Sequence, residues 1–161
     1  MPNTAFDPVQ DDLRLLDQVS RAASAPDFLR LAIRGAYRER IALVVSDGPE
    51  AAVLLHIVAG IDRNTPVIVP DAPMRGAPTR RLGLRDVRAA ASLEHALDGF
   101  EAWIDGRRQS GSGDPRPLVD LVDGRLKLDP LALWGAREID AYLIANDLPD
   151  ARRDSPRARH H

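Results

Sequence analysis

Residues 39–71 read ERIALVVSDGPEAAVLLHIVAGIDRNTPVIVPD, and this stretch decides the fold. Ile41–Ser46 is a continuous apolar, β-branched run without polar alternation. Such a run fits a strand buried on both faces, as in a parallel sheet. Asp47-Gly48-Pro49 breaks the run, and EAAVLLHIVAG then predicts a strongly apolar helix ending at Gly60. A second buried strand is expected at Pro66–Val69. Strand, tight glycine turn, helix and strand make the βαβ unit of an open α/β sheet.

On the N-terminal side, residues 1–10 read as a loose arm. Leu13, Leu16, Val19 and Ala23 recur at helical spacing and predict a helix over 11–24. Ser24-Ala25-Pro26-Asp27 reads as a stop and restart. Ser24 caps, Pro26 fits a first turn, and Asp27 complements the positive helix end. A second helix is expected over about 27–38, with Leu29, Ile33 and Ala36, or Phe28, Leu31 and Ala32, facing inward.

On the C-terminal side, residues 70–81 carry three prolines and a glycine and read as a loop. A short third strand is expected near Asp86–Ala89. Ser92 is expected to cap one long helix, SLEHALDGFEAWI, with Leu93, Ala96, Leu97, Phe100 and Ile104 on one face. Gly106–Pro117 is rich in Gly, Ser and Pro and reads as the most flexible stretch. Leu118–Val122 and Arg125–Leu128 bracket Asp123-Gly124, a hairpin turn signal. A last helix is expected over about Ala136–Asn146. The expected organisation is one α/β domain over residues 1–149, followed by a disordered polar tail over 150–161.

Composition narrows the function classes. The 161 residues suit one domain with one real core. A net charge of −2 gives no support to nucleic-acid binding, whose footprint is strongly basic. Lys127 is the only lysine, so arginine supplies the planar donor forks that suit carboxylate and phosphate. There is no cysteine, which excludes disulfides, thiolate metal sites, iron–sulfur ligation and a cysteine nucleophile within these residues. The polar, acidic start shows no secretory signal. No apolar run approaches the roughly 18 residues that span a bilayer. A cytoplasmic location without membrane contact is expected.

Three constellations could carry chemistry. Ser46-Asp47-Gly48-Pro49-Glu50 lies between a buried strand and a helix, where converging backbone N–H groups and the helix dipole favour an anion. The same residues also suit a plain strand-to-helix turn. Asp71 follows the second strand and can meet a ribose hydroxyl or base edge from the same sheet edge, or serve only as a turn residue. Asp105-Gly106-Arg107-Arg108-Gln109 offers two arginines that can grip a sulfate or phosphate bidentately, or remain solvated. His56 reads as packed or cap-facing, His95 as exposed, and no His/Asp/Glu spacing suggests zinc. No serine sits in a nucleophile-elbow pattern. Trp103, Trp134 and Tyr142 read as core at helical or pre-helical positions.

Together these segments resemble the sulfonucleotide reductases, the phosphoadenylyl-sulfate and adenylyl-sulfate reductases of the adenine-nucleotide α-hydrolase (PP-loop) superfamily. The resemblance rests on residues 39–71, RRLGLRDVR, LEHALDGFEAWIDGRRQ and DGRLKLDPLALWGAREIDAYLIANDLP, in that order. It implies a Rossmann-like, open, mostly parallel sheet flanked by helices, with an adenine nucleotide at the carboxyl edge. The family's phosphate loop, Ser-x-Gly-x-Glu-Ser, is matched by Ser46, Gly48 and Glu50, with Ala51 replacing the last serine. Its Leu-Asp-Thr-Gly is matched at Asp71, with Ala72 and Pro73 departing. Its Gly-Arg-Arg is matched by Gly106, Arg107 and Arg108, and its Lys-Leu-x-Pro and Trp by Lys127, Leu128, Pro130 and Trp134.

The resemblance therefore implies a nucleotide or phosphate site of Ser46, Asp47, Gly48, Glu50, Asp71, Gly106, Arg107 and Arg108. Two family segments have no counterpart here. One is the central segment that carries a cluster-binding cysteine pair in many members. The other is the C-terminal Glu-Cys-Gly-Leu-His segment with its nucleophilic thiolate. The family's reaction needs that thiolate to attack the sulfonucleotide's sulfur, so no catalytic residue and no cofactor is assigned in this chain. The leading expectation is a reductase-like protein of sulfate assimilation that keeps adenine-nucleotide or sulfonucleotide binding. The alternative is a non-catalytic interaction module with a decayed site, partnering a second copy or a full-length reductase. A hydrolytic or adenylating PP-loop enzyme would keep Ser-Gly-Gly-x-Asp-Ser, which Asp47, Pro49 and Ala51 break.

Overall fold

The computed structural model describes residues 8–45, 48–70, 82–106 and 117–148. Ile41–Val45 forms β1, with all five residues buried. Val67–Val69 forms β2, equally buried. Val87–Ala89 forms β3, Ala102–Gly106 β4, Val119–Val122 β5 and Arg125–Leu128 β6. They make one six-stranded sheet in the order β3-β2-β1-β4-β6-β5. Every neighbouring pair is parallel except β5 and β6, the expected antiparallel hairpin around Asp123-Gly124. The most apolar strand occupies an inner position, where both faces and both edges are covered.

Alternation along β1 divides the core. Ile41, Leu43 and Val45 join the large cluster, while Ala42 and Val44 join a small one with Ile68, Leu97 and Trp103. The large cluster receives α1 (Pro8–Ala22), α2 (Ala25–Leu31), α3 (Pro49–Ile61) and α5 (Ala136–Ala145). Among the described residues, the small cluster receives α4, the single turn Leu93–Ala96. The described helices are thus distributed unevenly between the two faces. In α3, nine of the thirteen residues are buried, as its nearly unbroken apolar sequence requires. Its N-cap, Gly48, has φ 152° and ψ 165°, a region open essentially to glycine alone.

Several expectations are corrected. The arm read over 1–10 is already helical at Pro8, and residues 1–7 lie outside the described residues. The second helix begins at Ala25 rather than 27. Ser24 Oγ accepts from the Asp27 N–H at 3.2 Å, and the helix continues as a π-turn over Ala32–Ala36. The long helix over 92–104 does not form. Ser92 does cap, but the chain leaves the helix after Ala96, turns at Gly99 (φ 89°) and enters β4. Trp103 is therefore a strand residue, 4% exposed. Ile104 faces the large cluster, not Leu93 and Leu97. Trp134 and Tyr142 are partly buried against the large cluster, and His95 is exposed. The tail read over 150–161 and most of the loop read over 70–81 lie outside the described residues.

Candidate nucleotide site

β1, β2 and β4 are parallel neighbours, so their carboxyl ends share one edge of the sheet. Register sets Val45 opposite Gly106 across β1 and β4. From β1 the chain crosses to β2 on one side, while β4 lies on the other. This is a topological switch point, where open α/β sheets bind ligands outside the strand ends. Ser46 and Asp47 follow β1, Asp71 follows Pro70 beyond β2, and Arg107 and Arg108 follow β4. These five residues lie outside the described residues. Gly48, Glu50 and Gly106 are described, and all three stand at this edge.

Gly106 is required by space. A Cβ built there would sit 3.0 Å from Leu54 Cδ1, 3.0 Å from Val45 Cγ1 and 3.1 Å from the Val44 carbonyl oxygen. Its missing side chain lets the end of β4 close against β1 and α3. Glu50, in the first turn of α3, lines a cavity of about 140 Å³ with Pro49, Leu131, Trp134, Gly135, Ala136 and Ile139. Its Oε2 is buried and has no hydrogen-bond partner among the described residues. The start of α5 forms the opposite wall, with Gly135 N–H donating to Glu138 Oε2 at 2.8 Å.

Sequence reading did not pair two further sets of residues. The Asp105 side chain is 0% exposed on β4, with Lys127 Nζ at 3.4 Å. The same ammonium lies 5.8 Å from the centre of the Trp103 ring. The signal available was Lys127's status as the lone lysine. Between α3 and α5, His56 Nδ1 and the Tyr142 hydroxyl lie 2.6 Å apart, so His56 is a polar helix–helix contact. Trp134 tilts against Tyr142 with ring centroids 5.9 Å apart.

Burial pushes the Tyr142 hydroxyl above its ordinary value. A raised value in the folded state keeps the proton there while the unfolded chain releases it. The resulting stability is complete below about pH 10 and is lost as pH rises past it. Tyr142→Phe is expected to flatten that alkaline fall. Urea midpoints of wild type and variant from about pH 8 to 11 check this. Equal slopes would mean that Tyr142 does not govern it.

Among the described residues, no cluster of three or more His, Cys, Asp or Glu is placed to hold a metal ion. A cysteine-ligated iron–sulfur cluster does not fit this chain, because the donor set contains no thiolate. No described helix is long and apolar enough to cross a membrane.

The fold and this edge define a Rossmann-like α/β protein with a switch point at the carboxyl edge of its sheet. No protein-family model matches the chain. It is 28% identical to the adenosine 5'-phosphosulfate reductase of Chelativorans sp. (strain BNC1), across 67% of this chain and 60% of that protein. It is 29% identical to the phosphoadenosine 5'-phosphosulfate reductase of Alkalilimnicola ehrlichii, across 83% and 74%. Its fold matches the crystal structure of phosphoadenylyl-sulfate (PAPS) reductase from Candida auris in a phosphate complex. That match has a TM-score of 0.64 and 16% identity, and covers 92% of this chain and 91% of that one. The chain is similar in sequence to proteins named as adenosine and phosphoadenosine phosphosulfate reductases, the family whose motifs it resembles. The match spans 60% and 64% of two of these curated relatives.

Proposed function

We propose that this chain binds an adenine nucleotide carrying a phosphate or sulfophosphate group at the carboxyl edge of β1 and β4, in sulfate assimilation. One observation carries the reading: the segments bearing Ser46-Asp47, Asp71 and Arg107-Arg108 all follow strands that end at this switch point. The relatives named as sulfonucleotide reductases support it. In this reading Gly48 leads the backbone into α3, whose N–H groups and dipole favour a phosphate, and Gly106 ends β4 directly before Arg107 and Arg108 in the sequence. Reductive chemistry would draw its thiolate from outside these 161 residues, which hold no low-pKa soft nucleophile.

Thermal unfolding with 3′-phosphoadenylyl sulfate, adenylyl sulfate, adenosine 3′,5′-bisphosphate and ATP tests this. A ligand at about 100 times its Kd adds about 2.7 kcal/mol, a midpoint shift of about 5–10 °C. Shifts with the sulfonucleotides but not ATP are expected. No shift with any of the four overturns the reading. That outcome favours the interaction module, for which Val87, 45% exposed at the β3 edge, is the supporting observation.

A further inference from the structure

Glu50 sits where an anion is expected, yet its chemistry is that of an acceptor. A carboxyl in the first turn of a helix is favoured by the dipole while it faces water. Here Oε2 is instead fully buried, with no donor among the described residues. Such an atom bears its full desolvation penalty unless a donor is supplied. It is also the wrong group to receive a phosphate, which would be repelled. The cavity beside it, about 140 Å³, is several times the ~30 Å³ share of one water. The opposite wall carries Trp134, whose ring offers a flat apolar surface.

We propose that Glu50 is a specificity residue that accepts a hydrogen bond from an N–H donor of the bound nucleotide, the exocyclic amino group of its base, with the ring lying toward Trp134. This rests on the nucleotide reading and assigns Glu50 to the base rather than to the phosphate. The carboxyl oxygen is left unpaired in the free protein so that the ligand can pair it. A residue of this kind lowers stability and raises selectivity.

The test compares wild type with Glu50→Met, which keeps length and removes the acceptor, and Glu50→Gln, which keeps one acceptor oxygen. The probes are adenosine 3′,5′-bisphosphate, inosine 3′,5′-bisphosphate, which lacks the amino group, and 2′-deoxyadenosine 3′,5′-bisphosphate. Wild type is expected to favour adenosine over inosine by at least about tenfold. Glu50→Met is expected to lose that preference and Glu50→Gln to recover part of it. The ligand-free Glu50→Met protein is expected to unfold at or above the wild-type midpoint. Preference retained in Glu50→Met overturns the assignment, and so does a lowered ligand-free midpoint, which marks a structural carboxyl. A penalty with the deoxy probe alone moves the contact to the ribose hydroxyl and overturns the base assignment. If wild type binds none of the probes, the nucleotide reading itself fails. Binding with unchanged discrimination sinks only the role of Glu50.

Discussion

Lys127→Met is expected to lower stability by about 3 kcal/mol, a fall of about 6–12 °C in the unfolding midpoint. The Asp105 carboxylate is taken wholly out of water on an inner strand, and the Lys127 ammonium stands 3.4 Å from it. Breaking such a pair from one side costs more than the pair contributes, because it removes a counter-charge from a buried carboxylate. The lower end of the usual range applies, since the Lys127 side chain is 27% exposed and water can reach the site. Replacing both members, as in Asp105→Leu with Lys127→Met, is expected to recover most of the loss. Urea unfolding of the two single variants and the double one forms a closed cycle. Strictly additive losses would show that the two groups do not interact.

Gly106→Val is expected to cost about 2–3 kcal/mol through overpacking. The new side chain would enter space already held by Leu54, Val45 and the Val44 carbonyl oxygen, at 3.0–3.1 Å from the first added carbon. Side-chain tips can give by tenths of an ångström, but the carbonyl belongs to β1 and cannot move without disturbing the sheet. Gly106→Ala, smaller by two methyl groups, is expected to lose about 1 kcal/mol. Because Arg107 and Arg108 follow directly, both variants are also expected to weaken nucleotide binding. Unchanged affinity in a stable Gly106→Ala protein would separate this close approach from the site.

The parts of the fold that were legible are those set by local sequence. Ile41–Val45, Pro49–Ile61 and Val67–Val69 each carry an unbroken apolar signal between breakers, and each forms as expected. β4 was hidden because Leu93, Ala96, Leu97, Phe100 and Ile104 happen to fall at helical spacing. What makes Ala102–Gly106 a strand is pairing with β1 and β6, neither adjacent in sequence. β3, short and exposed, forms at Val87–Ala89, within one residue of the strand expected near Asp86–Ala89.

The site shows the same division. Gly48 and Gly106 could be picked out because turns and close approaches demand glycine. The Asp105–Lys127 contact arises from the register that sets Trp103 against Lys127. The cavity at Glu50 arises from where α5 begins, its N-cap Gly135 lying 85 residues beyond Glu50. Neither arrangement is written in any single stretch of chain.

The uneven pairing along the sheet has a mechanical consequence. β3 holds on through three register positions with β2, and among the described residues one helical turn, Leu93–Ala96, packs on that face. β1 and β4, backed by α3, pair over five positions in the middle of the sheet. Local opening takes the path with least buried surface to expose. Amide exchange is therefore expected to enter from the β3 border and reach β1 last, so breathing of the molecule leaves the floor beneath Gly48 and Gly106 intact.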